Sequence, residues 1–172
     1  MPTFKKARLK APNGSRITVR YSRFFPPYFK KNGRDRTTLN YITKACCGVY
    51  IIRSKQTKKI LYVGFSGKDL YKTLYRHFQS WEDPKQYRTT YANKYAYEIM
   101  VVLHPNPNIM FMLEQYYIDR LKPRDTMDKS INKKFGFSER PISREDLDFS
   151  GAIPRPSRST AYKPMELSEV PF

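Results

Sequence analysis

The sequence predicts an α+β fold in which a small three-stranded antiparallel sheet is flanked by helices. Three observations support this prediction. Two short apolar runs are separated by a polar stretch, a third apolar run follows later, and two other segments carry apolar residues at helical spacing. In chain order these segments are strand, strand, helix, strand and helix, so the predicted strands and helices alternate within one compact stretch of the chain.

The first two predicted strands, residues 48–53 and 60–64, are β-branched or apolar throughout, which is typical of buried strands. Polar residues 54–59 separate them and predict a hairpin loop, so the two strands are expected to pair antiparallel. The third predicted strand covers residues 95–103 and ends at the proline-containing residues 104–107.

Each predicted helix has a start signal and a stop signal. Asp69 is a good N-cap, and the apolar spacing that begins at Leu70 predicts a helix extending to about Trp81. Asn108 opens the second helix, which is predicted to cover residues 109–121 and to end at Lys122-Pro123.

Outside this core the chain predicts two further regions. Residues 1–45 are a basic N-terminal arm, flexible over the first 15 residues, with one strand at residues 16–24 and a basic turn around Asn32-Gly33. Residues 129–172 contain several prolines and predict an extended C-terminal tail. The folded domain is therefore expected at residues 46–128.

The net charge of +18 in 172 residues indicates a polyanionic partner. DNA is the first expectation and RNA the second, while an acidic protein or a general charge excess without a specific site is an alternative. No apolar run approaches the ~20 residues of a membrane span, so a membrane partner is not expected. Cys46 and Cys47 are adjacent in the chain, and adjacent cysteines rarely form a disulfide with each other. This favours a reducing, cytoplasmic location.

Cations on the predicted strand, turns and helix are the candidate nucleic-acid ligands. They are Arg16, Arg20, Lys30, Lys31, Lys68, Lys72 and Arg88. Aromatic residues of the 81–91 segment either stack on bases or cover the small sheet.

Two triplets, Gly48-Val49-Tyr50 and Tyr62-Val63-Gly64, place one tyrosine on each of the two paired strands. The pairing brings Tyr50 and Tyr62 close together, and the neighbouring glycines would let a phosphate approach the backbone. The alternative is that both rings simply pack in an aromatic-rich chain.

Three further residues are candidates for chemistry on a phosphodiester. His77 relays a proton near neutral pH, and the preceding Arg76 holds a phosphate oxygen. Glu114 lies in an otherwise apolar helix and suits Mg²⁺, which keeps most of its water ligands. Solvated helix side chains are the alternative for all three.

Together these motifs resemble the GIY-YIG nuclease family over residues 46–128. The resemblance rests on the two triplets, the helix with Arg76-His77, and Glu114 placed before Leu121-Lys122-Pro123-Arg124. Two positions depart from the family pattern. Thr73 stands where the family usually has arginine, and Thr126 stands where it commonly has asparagine.

The resemblance implies a one-metal endonuclease. Tyr50 matches the general base or water-positioning tyrosine, Tyr62 assists it, Glu114 binds Mg²⁺ or Mn²⁺, and His77 matches a histidine of several branches. Arg76 and Asn132 are the candidates for the missing guanidinium and amide. The expected function is therefore metal-dependent cleavage of DNA. The alternatives are a catalytically weak or inactive nucleic-acid-binding module on the same fold and a structural protein of a nucleoprotein particle.

Overall fold

The computed structural model describes residues 2–11, 13–42, 46–79, 89–128, 133–134, 140–142, 147 and 153. No helix in these ranges has the length and apolarity needed to span a membrane. In chain order the elements are strands β1 (Phe4–Lys10), β2 (Arg16–Ser22), β3 (Tyr28–Lys31), β4 (Arg34–Thr37), β5 (Gly48–Ser54) and β6 (Ile60–Ser66), helix α1 (Leu70–His77), strand β7 (Tyr97–Leu103), helix α2 (Pro107–Leu121), and strands β8 (Met127–Asp128) and β9 (Lys133–Lys134).

The main sheet has five antiparallel strands in the order β1-β2-β7-β5-β6. The mixed α/β architecture is confirmed, but the predicted strand number of three is wrong. Strands β5, β6 and β7 are the three predicted ones. The N-terminal hairpin adds two more because β2 pairs with the free side of β7, at Arg20↔Leu103 and Tyr21↔Val102.

Strand β1 forms where the sequence predicts a flexible basic arm. Its cations are exposed, but Ala7 and Leu9 pair with Val19 and Ile17 of β2 and lie against the core. Two apolar residues on one face are enough to bury that side of a strand whose other side faces water. The abundance of lysine and arginine hides this alternation in the sequence.

Both faces of the central strands are covered, which explains their continuous apolar runs. Helix α2 packs on one face, over Val49, Ile51 and Val63. The other face carries α1 and the segment at residues 25–42, packed against Tyr50 and Ile52. Of the predicted extended tail, the described Ile142, Leu147 and Ile153 are buried in the α2-side core.

The helix ends follow local capping. The Asp69 carboxylate accepts a hydrogen bond from the Lys72 backbone N–H at 3.0 Å, which starts α1. Helix α1 ends at His77, earlier than predicted, and Trp81 lies outside the described residues. Helix α2 starts at Pro107 and ends before Lys122, which adopts the left-handed conformation with φ 48°.

Candidate active site

The register of β5 and β6 brings the two predicted tyrosines together. Tyr50 lies opposite Gly64 and Tyr62 opposite Ile52, so both phenol rings project from the same face of the sheet. Their rings stack with centroids 5.9 Å apart. Tyr50 is 2% exposed, whereas Tyr62 is half-buried.

The two motif glycines make room for packing, which is a different role from the one expected. A Cβ on Gly64 would overlap the ring end of Tyr50 and lie 2.7 Å from Cε1 of Tyr62. A Cβ on Gly48 would lie 2.5 Å from the carbonyl oxygen of Val102 on β7. Gly64 therefore allows the Tyr50 ring to lie flat across β6, and Gly48 allows β7 to approach β5.

His77 is hydrogen-bonded to Tyr50 and is itself oriented by the backbone. The Tyr50 hydroxyl lies 2.7 Å from Nε2 of His77, and Nδ1 lies 2.7 Å from the carbonyl oxygen of Thr89. A carbonyl oxygen only accepts, so in the neutral imidazole the proton is on Nδ1. Nε2 is then free to accept the hydrogen bond that the Tyr50 hydroxyl donates.

The surroundings hold the proton on Tyr50. Burial raises the pKa of the Tyr50 phenol well above its usual value, and the nearby Tyr62 and Glu114 raise it further. At neutral pH Tyr50 is therefore a neutral phenol. It can accept a proton from another group only if its own proton passes to His77 in the same step.

Glu114 lies on helix α2, which packs on the face of the sheet opposite to Tyr50. Its carboxylate is 6% exposed and accepts a hydrogen bond from Nε2 of Gln115 at 3.2 Å. Strand β6 lies at the end of the five-stranded sheet beside β5, and the negative charge of Glu114 is one of the causes that raise the pKa of Tyr50.

The donor set near Tyr50 fits one kind of metal ion. Within the described ranges no group of three His, Cys, Asp or Glu side chains could hold an ion, so Glu114 is the candidate carboxylate ligand. Next to it, Oε1 of Gln115 is buried and has no hydrogen-bond partner among the described groups. Oxygen ligands in this small number suit Mg²⁺ or Mn²⁺ with retained waters and do not suit zinc.

The structure does not bring Arg76 to the tyrosine pair. Arg76 is exposed, and it lies roughly 100° around the helix axis from the buried His77. At the family arginine position, the Thr73 hydroxyl donates to Oγ of Ser66 at 3.0 Å and fastens α1 to the end of β6. The hydroxyl of Thr126, at the family asparagine position, accepts from the Val63 backbone N–H at 2.8 Å and donates to the Val63 carbonyl at 2.9 Å. Asn132 lies outside the described residues.

A second polar cluster supports His77, and the sequence does not reveal it. The Tyr91 backbone N–H donates to the His77 carbonyl at 2.6 Å, and the Tyr91 hydroxyl donates to Oδ2 of Asp125 at 2.9 Å. Arg124 makes a bidentate pair with Asp125 at 2.8 and 2.9 Å. Burial and the Asp125 carboxylate raise the pKa of the Tyr91 phenol. Tyr91 is 5% exposed and is therefore not available for base stacking.

Of the predicted nucleic-acid ligands, the described ones are all exposed. Arg16 and Arg20 lie on the same sheet face as Tyr50, because Arg20 and Gly48 both pair with Leu103. Lys68 and Lys72 lie at the start of α1, on that face. Lys30 and Lys31 lie on β3, and Arg88 is outside the described residues.

A comparison with protein families finds one match, to the family model described as GIY-YIG catalytic domain, over residues 46–128. This range contains both tyrosines, His77, Glu114 and the Asp125 cluster. No curated protein and no solved structure matches the chain. Residues 46–128 thus match a GIY-YIG catalytic domain, which supports the resemblance of this part of the chain to the GIY-YIG nuclease family.

Proposed function

We propose that this chain is a metal-dependent endonuclease that hydrolyses phosphodiester bonds in DNA. The observation that carries the proposal is the 2.7 Å hydrogen bond from the buried Tyr50 hydroxyl to Nε2 of a histidine whose other nitrogen is already occupied. Such a pair passes a proton in one direction, from the phenol to the imidazole. The nearby carboxylate of Glu114 supplies the place for a hard cation.

In this mechanism Tyr50 acts as a relay. Its oxygen accepts a proton from the attacking water while its own proton moves to Nε2 of His77, so the buried phenol never carries a full charge. Tyr62, stacked at 5.9 Å, holds the ring and offers a second hydroxyl to orient that water. Glu114 would hold Mg²⁺ or Mn²⁺, which stabilises the leaving oxygen when bound.

The basic N-terminal hairpin would hold the DNA backbone next to these residues. Its exposed face carries Lys6, Arg8, Lys10, Arg16 and Arg20. Strand β2 is two strand spacings from β5, or about 10 Å, so a duplex whose phosphate lies at Tyr50 extends naturally over it. Phosphate contacts of this kind would make binding fall steeply with rising salt.

A plasmid-nicking assay with Mg²⁺ tests the proposal. We expect nicking by the wild-type chain and a loss of at least about 100-fold in Tyr50→Phe and in Glu114→Gln, with DNA binding nearly unchanged. Both substitutions preserve side-chain volume, and circular dichroism checks their folding. Full nicking by either folded variant would reject the assigned roles.

The second candidate is an inactive nucleic-acid-binding module on the same fold. It is favoured by Thr73, whose hydroxyl is bonded to Ser66 where the family usually has a guanidinium. This candidate predicts salt-sensitive binding of DNA or RNA without cleavage in Mg²⁺ or Mn²⁺. Clean metal-dependent cutting that Glu114→Gln abolishes would exclude it. For either function we propose a reducing, cytoplasmic setting, since neighbouring cysteines such as Cys46 and Cys47 rarely form a disulfide with each other.

A further inference from the structure

Strands β3 and β4 form a separate two-stranded ribbon whose two faces differ sharply. The ribbon turns at Asn32 and Gly33, which have φ values of 52° and 71°. Because side chains alternate between the faces of a strand, the register divides the ribbon into two sets. We call them the inner face (Tyr28, Lys30, Asp35 and Thr37) and the outer face (Phe29, Lys31, Arg34 and Arg36).

The inner face is fixed to the domain. Lys94 forms an ion pair with Asp35 at 3.1 Å, and its ammonium lies 4.8 Å from the centre of the Tyr28 ring. Asp35 also accepts a hydrogen bond from the Tyr95 hydroxyl, and Lys30 lies over the Tyr95 ring at 5.4 Å. Lys30 therefore has a packing role in addition to its charge. These contacts leave the inner face little freedom to turn outward.

The contacts of the inner face also determine where the ribbon lies on the domain. The buried Tyr28 ring packs edge-on against the ring of Phe78, with centroids 5.8 Å apart. Phe78 directly follows His77 in the chain. The base of the ribbon is thus attached at the end of α1, next to the histidine that contacts Tyr50.

The outer face has the chemistry of a nucleic-acid contact. Phe29 is 37% exposed, and Arg36 lies directly opposite it, while Lys31 and Arg34 form the next pair. All three cations are exposed, and the ribbon's one acid, Asp35, is held on the inner face. An exposed aromatic ring beside three cations combines apolar and phosphate-binding groups on one small surface, as nucleic-acid contacts do.

We propose that the outer face of the β3–β4 ribbon enters the major groove of duplex DNA and reads base edges next to the cleavage site. A two-stranded ribbon fits a groove about 12 Å wide, and each of two arginines on one face of it can donate bidentate hydrogen bonds to guanine. The deep, narrow groove of duplex RNA does not admit such a ribbon. The inference rests on the proposed DNA substrate but not on cleavage.

The test selects bound sequences from a duplex DNA library randomised at every position, using the Glu114→Gln chain so that no substrate is cut. Arg34→Lys/Arg36→Lys keeps the charge but removes the bidentate donors. We expect the parent to enrich a short motif and the variant to lose about tenfold in preference for each base contact removed. The matched control is Arg23→Lys/Arg120→Lys, at two exposed arginines outside the ribbon and outside the cationic face of the β1–β2 hairpin, which should leave the motif and its strength unchanged.

The outcomes separate this inference from the proposed function. A parent without a motif, an unchanged motif in Arg34→Lys/Arg36→Lys, or equal binding of duplex RNA would overturn the ribbon's role even if the wild type nicks plasmids. A motif that depends on these two arginines would uphold it even if the wild type cuts nothing. A Phe29→Ala variant gives an independent check, with weaker enrichment of the same motif expected.

Discussion

Replacing Gly64 with alanine is the most direct test of the geometry around Tyr50. The new Cβ would overlap the ring end of Tyr50 and lie 2.7 Å from Cε1 of Tyr62, where carbon atoms normally stay about 3.5 Å or more apart. The rings must therefore shift by roughly 1 Å. Since the Tyr50–His77 hydrogen bond is 2.7 Å long, a shift of that size away from the imidazole breaks it.

Two effects add in this variant. Overpacking a dense core costs about 1–3 kcal/mol, and the loss of a buried hydrogen bond costs about 1–3 kcal/mol more, so we expect the free energy of unfolding to fall by about 2–6 kcal/mol. A displacement of about 1 Å in a catalytic group can reduce the rate by about 100-fold. Urea unfolding measures the first effect, and plasmid nicking at a temperature where the variant stays folded measures the second.

Gly67→Ala is the matched control. A Cβ at Gly67 would lie 3.2 Å from the tip of the Phe65 ring, and Gly67 is exposed. That contact is relieved by a small movement of one side chain, so stability and nicking should remain close to wild type. If Gly64→Ala matched wild type in both measurements, the assignment of Tyr50 to a tightly enclosed relay with His77 would be wrong.

Three further substitutions test the supporting structure. Thr126→Val should destabilise the chain by about 2–3 kcal/mol in urea, because it leaves both backbone groups of Val63 without the hydroxyl, whereas Thr126→Ser should retain most of the stability. Tyr91→Phe should lower kcat about tenfold with KM unchanged, because it loosens the segment that orients His77; a change confined to KM would contradict this. Burial alone would raise the pKa of the Glu98 carboxyl, but hydrogen bonds from lysine and arginine outweigh burial and lower it. The stabilisation by Glu98 is therefore complete above the unfolded carboxyl pKa and is lost as the pH falls through the lower folded value. Wild type should thus be more stable in urea than Glu98→Gln at pH 7, and this difference in stability should disappear in acid; a difference that stays constant with pH would refute this.

The sequence predicts the fold well where one local pattern decides it. The strands at residues 48–53 and 60–64, the Asp69 cap of α1 and the end of α2 at Lys122 follow from polarity and capping residues, and the structure confirms them. The predicted opening of α2 at Asn108 is wrong, because Asn106 caps this helix and Pro107 is its first residue. The N-terminal hairpin is not predicted as part of the sheet. Whether β2 pairs with β7 depends on an edge of β7 that exists only after the rest of the sheet has formed.

The candidate active site likewise has some features that local sequence patterns predict and others that depend on contacts between distant segments. The meeting of Tyr50 and Tyr62 follows from hairpin register, and the buried position of His77 follows from helical spacing with Leu70 and Leu74. Adjacent helix residues project about 100° apart, so Arg76 is exposed on α1 while His77 is buried. The support from Thr89, Tyr91 and Asp125 was not predictable, since it depends on contacts between distant segments that carry no common motif.

The two free edges of the central strands β7-β5-β6 have different uses. At the β6 edge, residues 125–126 bind the backbone of Leu61 and Val63. Covering that edge protects it from pairing with another chain and also encloses the site. At the β7 edge, β2 pairs instead, which continues the sheet and carries an exposed cationic face beside the tyrosines. The hairpin outside residues 46–128 therefore closes the second edge and, in the proposed function, extends the DNA-binding surface by the same pairing.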